Sequence, residues 1–554
     1  MFVPNTEHQN DFLKIWSVLL SEEKLERLKS SSGYSFYRLI FCNIKEEDFR
    51  VLYSSKYSSP NCAVNCLVAA LFQLHHHNWS YAELMSQIDF NVEIRVALGL
   101  KDLESRPFTK RTLFNFKNRL ANHSEKHGEN LLEKVFDYLT AHQLKELKIK
   151  TNIQRGDSVL LDTNIRTYSR LSFLVEVVSR VGKILDKSDQ VLYSALFNPY
   201  LKGGEKFIYS LQEEEGSPHL ETLAQTYYGI HTLLNEKYSE HPVFQMFDKV
   251  YSAHFKEVES EEAYPIMLRP KEELGSDNIC SPDDLDATCR TKRGETHIGF
   301  VAFGAETCHP ENELNLVTKV ALETNNTDDS KILEAQLDEM VECTPDLEEF
   351  HIDGGFGSEG VDVKADEHQI ILIQTAIKGV QSQVPMGIEG TEQDGFTVDC
   401  PNPEHPKVKA QKLQKNYRAD FDLDKCEQCP FKDFCPTKRE RKYRKKIAIL
   451  RFKLPDVLRH KRHKAIQQIP KERQTLRPGV ENLMARFRRG EKHTGKFKIT
   501  GRFNFESYLF AMACVVNFER IFAFQKAISD FFTPFWSSKP TPLVSCQRTF
   551  ILNR

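Results

Sequence analysis

Through residue 150 the apolar positions recur at the three-to-four spacing of helices that bury one face. The stretch from Cys62 to Met85 sets Cys66, Ala69, Ala70 and Leu74 on such a face and ends near His75-His76-His77. Three adjacent histidines point in different directions on a helix, so they read as a solvated helix end. Residues 106–120 predict a second helix, capped by Thr109, with Leu113, Phe116 and Leu120 inward and Lys110, Lys117 and Arg119 outward. The period then changes. Ser158-Val159-Leu160-Leu161-Asp162 is an apolar strand that delivers a carboxylate, after which 167–283 turns helical, polar and often acidic, with no repeat. Residues 296–305 and 314–323 predict two adjacent strands, and 330–341 a helix with Ile332, Leu333, Leu337 and Met340 apolar. Phe350 and Ile352 alternate into Asp353-Gly354-Gly355, a strand that ends in a second carboxylate with no Cβ on the next two residues. A fifth strand is predicted over 368–377.

The order is therefore strand with Asp, strand, strand, helix, strand with Asp, strand. It resembles the core of the ribonuclease H-like fold, an α/β mixed sheet with flanking helices whose first and fourth strands lie side by side. That resemblance makes neighbours of Asp162 and Asp353. The domain plan that follows has an N-terminal helical, DNA-binding domain (1–150) and a catalytic core (151–166 and 284–399). A helical insertion (167–283), a Cys-rich and basic insertion (400–469), a segment with the catalytic and closing helices (470–530) and a tail (531–554) complete it.

Composition changes this picture at one point. With 554 residues, 40% of them apolar and 28% charged, the chain has room for several cores. The net charge of −3 by itself indicates no polyanion partner, but it conceals segregation. Between Lys438 and Lys498 stand 22 Lys and Arg against 5 Asp and Glu, a local excess of 17. That excess points to a nucleic-acid backbone. The first residues lack the basic head and apolar core of a signal peptide, and even the apolar 505–524 stretch carries Glu506, Asn517 and Glu519. Thirteen cysteines, scattered except in one cluster, fit a reducing cytoplasm.

Within the basic segment, Pro478 suits the first turn of a helix whose buried stripe is Val480, Leu483, Met484 and Phe487. Glu481 lies at the edge of that stripe, with Arg488 on the same side. Carboxylates that converge at a sheet edge bind hard divalent cations such as Mg²⁺ or Mn²⁺, and a pair of ions can drive in-line phosphoryl displacement. A separate cluster, Cys400 with Cys426, Cys429 and Cys435, has the spacing C-x25-C-x2-C-x5-C. It suits a closed Zn²⁺ site, with His405 competing with Cys400 for the fourth position.

Taken together, these residues resemble the DDE transposases of bacterial insertion sequences. Leu161-Asp162-Thr163-Asn164 is similar to the family's first Asp motif, and Asp353-Gly354-Gly355-Phe356-Gly357-Ser358 to its second. Ser281–Ala287 with Lys292-Arg293-Gly294-Glu295 is similar to the approach to the second strand, and Asn517-Phe518-Glu519-Arg520-Ile521 to the closing helix. One branch carries Tyr-x2-Arg-x3-Glu-x6-Lys; here Arg477, Glu481 and Arg488 match, with Gln474 in place of Tyr. The resemblance implies metal-dependent cleavage at transposon ends and strand transfer, with Asp162, Asp353 and Glu481 as the catalytic, metal-holding acids. The double-stranded DNA partner would be held by Arg477 and Arg488. Sequence-independent phosphate contact is expected from Lys110, Lys117, Arg119, Lys442, Arg444, Lys445, Lys446, Lys461 and Arg462. A homodimer on paired ends is the expected assembly. Two alternatives share these residues: a catalytically silent DNA-binding descendant, and a nuclease without strand transfer.

Overall fold

The computed structural model describes residues 2–6, 12–54, 60–104, 106–201, 203–209, 216–257, 265–275, 278–374, 386–442 and 445–532. Its centre is a six-stranded sheet. The strands are β1 Ile153–Asp162, β2 Thr288–Lys292, β3 Glu295–Thr307, β4 Val317–Thr324, β5 Glu349–Ile352 and β6 Ile371–Gln374. β3 runs antiparallel to β1, and its outer edge takes β2 along its first residues and β4 along the rest. On the other side β1 pairs in parallel with β5, and β5 with β6. The sheet is therefore mixed, and the chain is an α/β protein rich in helices.

Each face is covered by what the periodicity predicts. The Asp329–Cys343 helix lays Ile332, Leu333, Leu337 and Met340 on Phe303, Phe350 and Ile352. The other face receives the short helix Val480–Phe487 and the long helix Arg502–Phe532. That long helix has the length and composition of a membrane span, yet it is threaded through the protein, with Leu509 to Val516 all buried. Its Asn517, wholly buried, takes the Val317 N–H at 2.7 Å and donates to the Val317 carbonyl at 3.0 Å, which closes the end of β4.

Two expected boundaries shift. Residues 1–150 are helical, and Thr109 caps Lys110–His127 as expected. They are not a separate unit, however. Phe36, Leu67, Phe72, Leu132 and Phe136 share one continuous core with Leu161, Phe300, Leu483 and Phe510. The reason is area: the middle of this helix, buried on every side from Ser507 to Phe518, needs partners all round, and the N-terminal helices supply them. The histidine run belongs to the same contact. His76 Nε2 lies 3.0 Å from Glu519 Oε1, and His77 stacks on Trp79, so this helix end is docked rather than solvated. Second, the Cys-rich insertion begins before residue 400. Met386, Ile388, Phe396 and Val398 pack with Tyr417, Phe421, Leu450 and Phe452, so the hairpin Gly387–Thr391 and Gly395–Asp399 belongs to it. Residues 167–283 fold around their own core of Phe173, Val177, Tyr227, Phe244 and Phe247.

Candidate active site

Register decides which acids meet. Arg155 on β1 pairs with His351 on β5 at the end of their ladder; carried two residues on, the same parallel register sets Asp157 level with Asp353, near enough for the Asp353 charge to act on it. Phe350 and Ile352 are in the core beneath the 329–343 helix, and a Cβ on Gly156 would meet Phe350 and Phe303. Side chains alternate along a strand, so Arg155, Asp157 and Asp353 take the opposite face together. Burial raises the Asp157 carboxyl above the usual range; the Ser158 amide and Arg477 pull it back, while Asp353 and Asp329 push the same way as burial.

The third acid comes from the helix on that face. Arg477–Gly479 makes one tight turn and leads into Val480–Phe487, whose Val480, Leu483, Met484 and Phe487 are buried as their spacing predicts. Gly304, directly opposite Asp157 on β3, lets the helix come close, since a Cβ there would stand 2.7 Å from the Phe487 ring. Arg477 joins the acids. Its Nη2 is paired with Asp157 Oδ2, and its Nη1 lies 3.5 Å from Glu481 Oε1. The side chain of Glu481 is 69% exposed, open to a ligand.

Asp162, the expected first acid, lies elsewhere. It is five residues beyond Asp157, about 16 Å along the strand and on the other alternation. Its carboxylate faces His297 Nδ1 at 3.0 Å, and Arg488, at the far end of the acid helix, feels its charge. Asp353 therefore stands beside Asp157, Arg477 links Asp157 to Glu481, and Asp162 is left out. A strand-end carboxylate such as Asp162 is the more conspicuous feature of the sequence, whereas Asp157 stands mid-strand. The signal was present in Arg155 and Asp157, charged residues at alternate positions of a strand. Such a strand has one polar face over part of its length.

Several expected DNA contacts are spent inside the protein. Arg462 is buried against Asp362 at 2.7 Å, whereas Lys461 pairs with Asp366 at 2.9 Å at the surface, where a phosphate can still compete. Both fasten the Leu454–Gln468 helix to Glu359–Glu367. Lys117 donates to the Tyr81 hydroxyl at 2.9 Å, and burial lowers its pKa to about 8. Its aliphatic stem fits the crowded helix contact better than water. Lys446 meets Asp424 at 3.2 Å and Arg488 meets Glu491 at 2.7 Å, both at the surface, where a phosphate can compete. Lys110 and Arg119 lie over the Phe114 and Tyr53 rings at 5.7 and 5.1 Å. Lys442 and Lys445 end the paired strands Lys438–Lys442 and Lys445–Phe452, and Arg444 lies outside the described residues.

Cys400, Cys426, Cys429 and Cys435 line one small enclosed cavity together with His405. Burial, and then the other three thiols, push Cys426 up to about 11. His405 Nε2 stands 3.4 Å from Cys426 Sγ, so both Cys400 and His405 remain in reach of a fourth-ligand position. Among the described residues no group of three or more His, Cys, Asp or Glu side chains is arranged as a ready metal cage. The donor chemistry of the two clusters nonetheless differs as their candidate ions would require. One offers thiols in a closed pocket, the other carboxylate oxygens at an open edge.

Residues 399–522 match the family model described as Transposase DDE domain. The match runs from the Cys-rich unit through the acid helix into the long helix, and it supports a DDE transposase, an enzyme class that acts on DNA. No curated protein and no solved structure matches the chain.

Proposed function

We propose that this chain, which carries the transposase DDE domain, cuts DNA at transposon ends and joins the freed strands to a target. The reading adopts a ribonuclease H-like core and assigns the three acids as Asp157, Asp353 and Glu481. The observation that carries it is a mid-strand acid that feels the charge of a neighbouring strand-end acid and shares one guanidinium with a helix acid. All the donors are carboxylate oxygens, which favours Mg²⁺ or Mn²⁺. When bound, such ions supply activation of the attacking oxygen and stabilisation of the leaving oxygen. The chain's own residues do the rest. β1 and β5 fix two carboxylates on one face, the acid helix presents the third from above, Arg477 lies between them, and Arg488 at the far end of that helix offers charge to the DNA backbone further along. Exposed cations of 438–498 hold the duplex, and the four cysteines hold Zn²⁺ and brace the small β unit that carries them. Action as a homodimer on paired ends, in the cytoplasm, completes the proposal.

The test separates the two candidate first acids. The substrate is a duplex with the ends that flank the gene, in Mg²⁺. Asp157→Asn, Asp353→Asn and Glu481→Gln should each lose cleavage by a factor of about 10³ or more while still binding DNA. Asp162→Asn should remain within about tenfold of the parent. Full cleavage by Asp157→Asn with none by Asp162→Asn would reverse the assignment. Strand transfer from pre-cut ends, if absent, would leave only a nuclease.

A further inference from the structure

Arg477 occupies an unusual place for a phosphate-binding residue. Its guanidinium lies between Asp157 on β1 and Glu481 on the acid helix, paired with the first and 3.5 Å from the second. The side chain is only 16% exposed, and among the described residues its buried Nε has no hydrogen-bond partner. The backbone just before it is pinned, because Arg155 Nη1 donates to the Leu476 carbonyl at 2.6 Å. The turn is therefore fixed while, among the described residues, the side chain is held by the two acids.

A guanidinium keeps its charge at any working pH and reads carboxylate and phosphate with the same fork. It neutralises acids that would otherwise repel each other, and it stands where a divalent cation would have to reach the same oxygens. We infer that Arg477 is an internal cation that holds Asp157 and Glu481 until a DNA phosphate draws it away, so that divalent-ion binding and DNA binding are coupled. This rests on the reading of those acids as metal ligands. Exchange of one anion for another leaves Arg477 paired throughout, and only then are the carboxylate oxygens free for the ion. Coupling of this kind is reciprocal: the factor by which DNA tightens the ion equals the factor by which the ion tightens DNA. Its consequence is order, since the free protein stays metal-poor and loads its ions on DNA.

The experiment is Mn²⁺ binding to the full chain, read by the electron paramagnetic resonance of the free ion. It is run with and without a random-sequence duplex, and the ion bound by duplex alone is subtracted. In wild type the duplex should tighten Mn²⁺ several-fold. Arg477→Gln should bind Mn²⁺ at least about tenfold tighter than wild type without DNA, because a positive charge in contact with the ligands is gone. With that variant the duplex should add little. Arg477→Lys, which keeps the charge, should stay near wild type. Unchanged or weaker Mn²⁺ binding by a folded Arg477→Gln overturns the inference. So does a wild-type affinity indifferent to the duplex, a result that needs no variant. Asp353→Asn tells the two layers apart: if it binds Mn²⁺ as well as wild type, the acids are not the ligands and the reading beneath fails.

Discussion

Gly479 offers a test in which the sign of the effect, as well as its size, follows from the structure. The residue has φ −61° and ψ −22°, ordinary right-handed helical backbone, so nothing in its conformation calls for glycine. On that ground alone Gly479→Ala should stabilise by about 0.4–1 kcal/mol through the unfolded chain. The space says otherwise. A Cβ at 479 would fall 2.1 Å from Arg155 Nη1 and 2.4 Å from its Cζ. Arg155 has little freedom to move, because its Nε donates to the fully buried Glu306 at 2.7 Å and its Nη1 to the Leu476 carbonyl at 2.6 Å. Loss of a charge-assisted bond costs about 1.5–3 kcal/mol, so Gly479→Ala should destabilise by about 1–2 kcal/mol net. In an Arg155→Met background the obstacle and the bond are both gone, while Glu306 keeps Arg520 at 2.7 Å. There the same Gly479→Ala should stabilise by about 0.4–1 kcal/mol. Hydrogen exchange in a urea series, read on peptides covering 153–162 and 476–487, reports this unit apart from the insertions. Equal effects of Gly479→Ala in the two backgrounds would refute the argument. So would stabilisation in the parent.

Three further outcomes follow from the same geometry. Arg462→Met should destabilise the docked 454–468 helix by about 3–5 kcal/mol, since it strands a buried Asp362, while the salt dependence of DNA binding stays as in the parent. Metal analysis should find about one zinc per chain, lost in Cys426→Ser, with chelation loosening amide protection across 386–452. His254 is buried in the 167–283 core, where it faces the Ile279 carbonyl at 3.2 Å through Nε2. Burial lowers its pKa from 6.5 to about 4, so below pH 6.5 the unfolded chain takes up the proton first. Stability of that unit should therefore fall as pH drops from 6.5 towards 4, by about 2 kcal/mol at pH 5. His254→Gln should flatten that slope in urea midpoints measured by exchange.

The sequence by itself determined the elements and their faces. The strand around Leu160, the strand into Asp353, the 329–343 helix and the stripe of Val480, Leu483, Met484 and Phe487 all stand where periodicity sets them. It also carried the order of strands and the family likeness of the acid helix, because local spacing and chain order are one-dimensional properties. What it could not determine was register. Five residues of offset along β1 decide whether Asp157 or Asp162 faces Asp353, and both lie in a plausible strand. Only pairing with a strand almost 200 residues away resolves that, because hydrogen-bonded register depends on how both faces of the sheet are buried at once. The same holds for charge. The excess of Lys and Arg was legible, but tertiary packing alone decided that Arg462 is a strut, that Lys117 turns to Tyr81, and that Arg477 lies between two acids. Each cation went to the nearest carboxylate or ring that folding brought to it, and sequence separation says nothing about which that is.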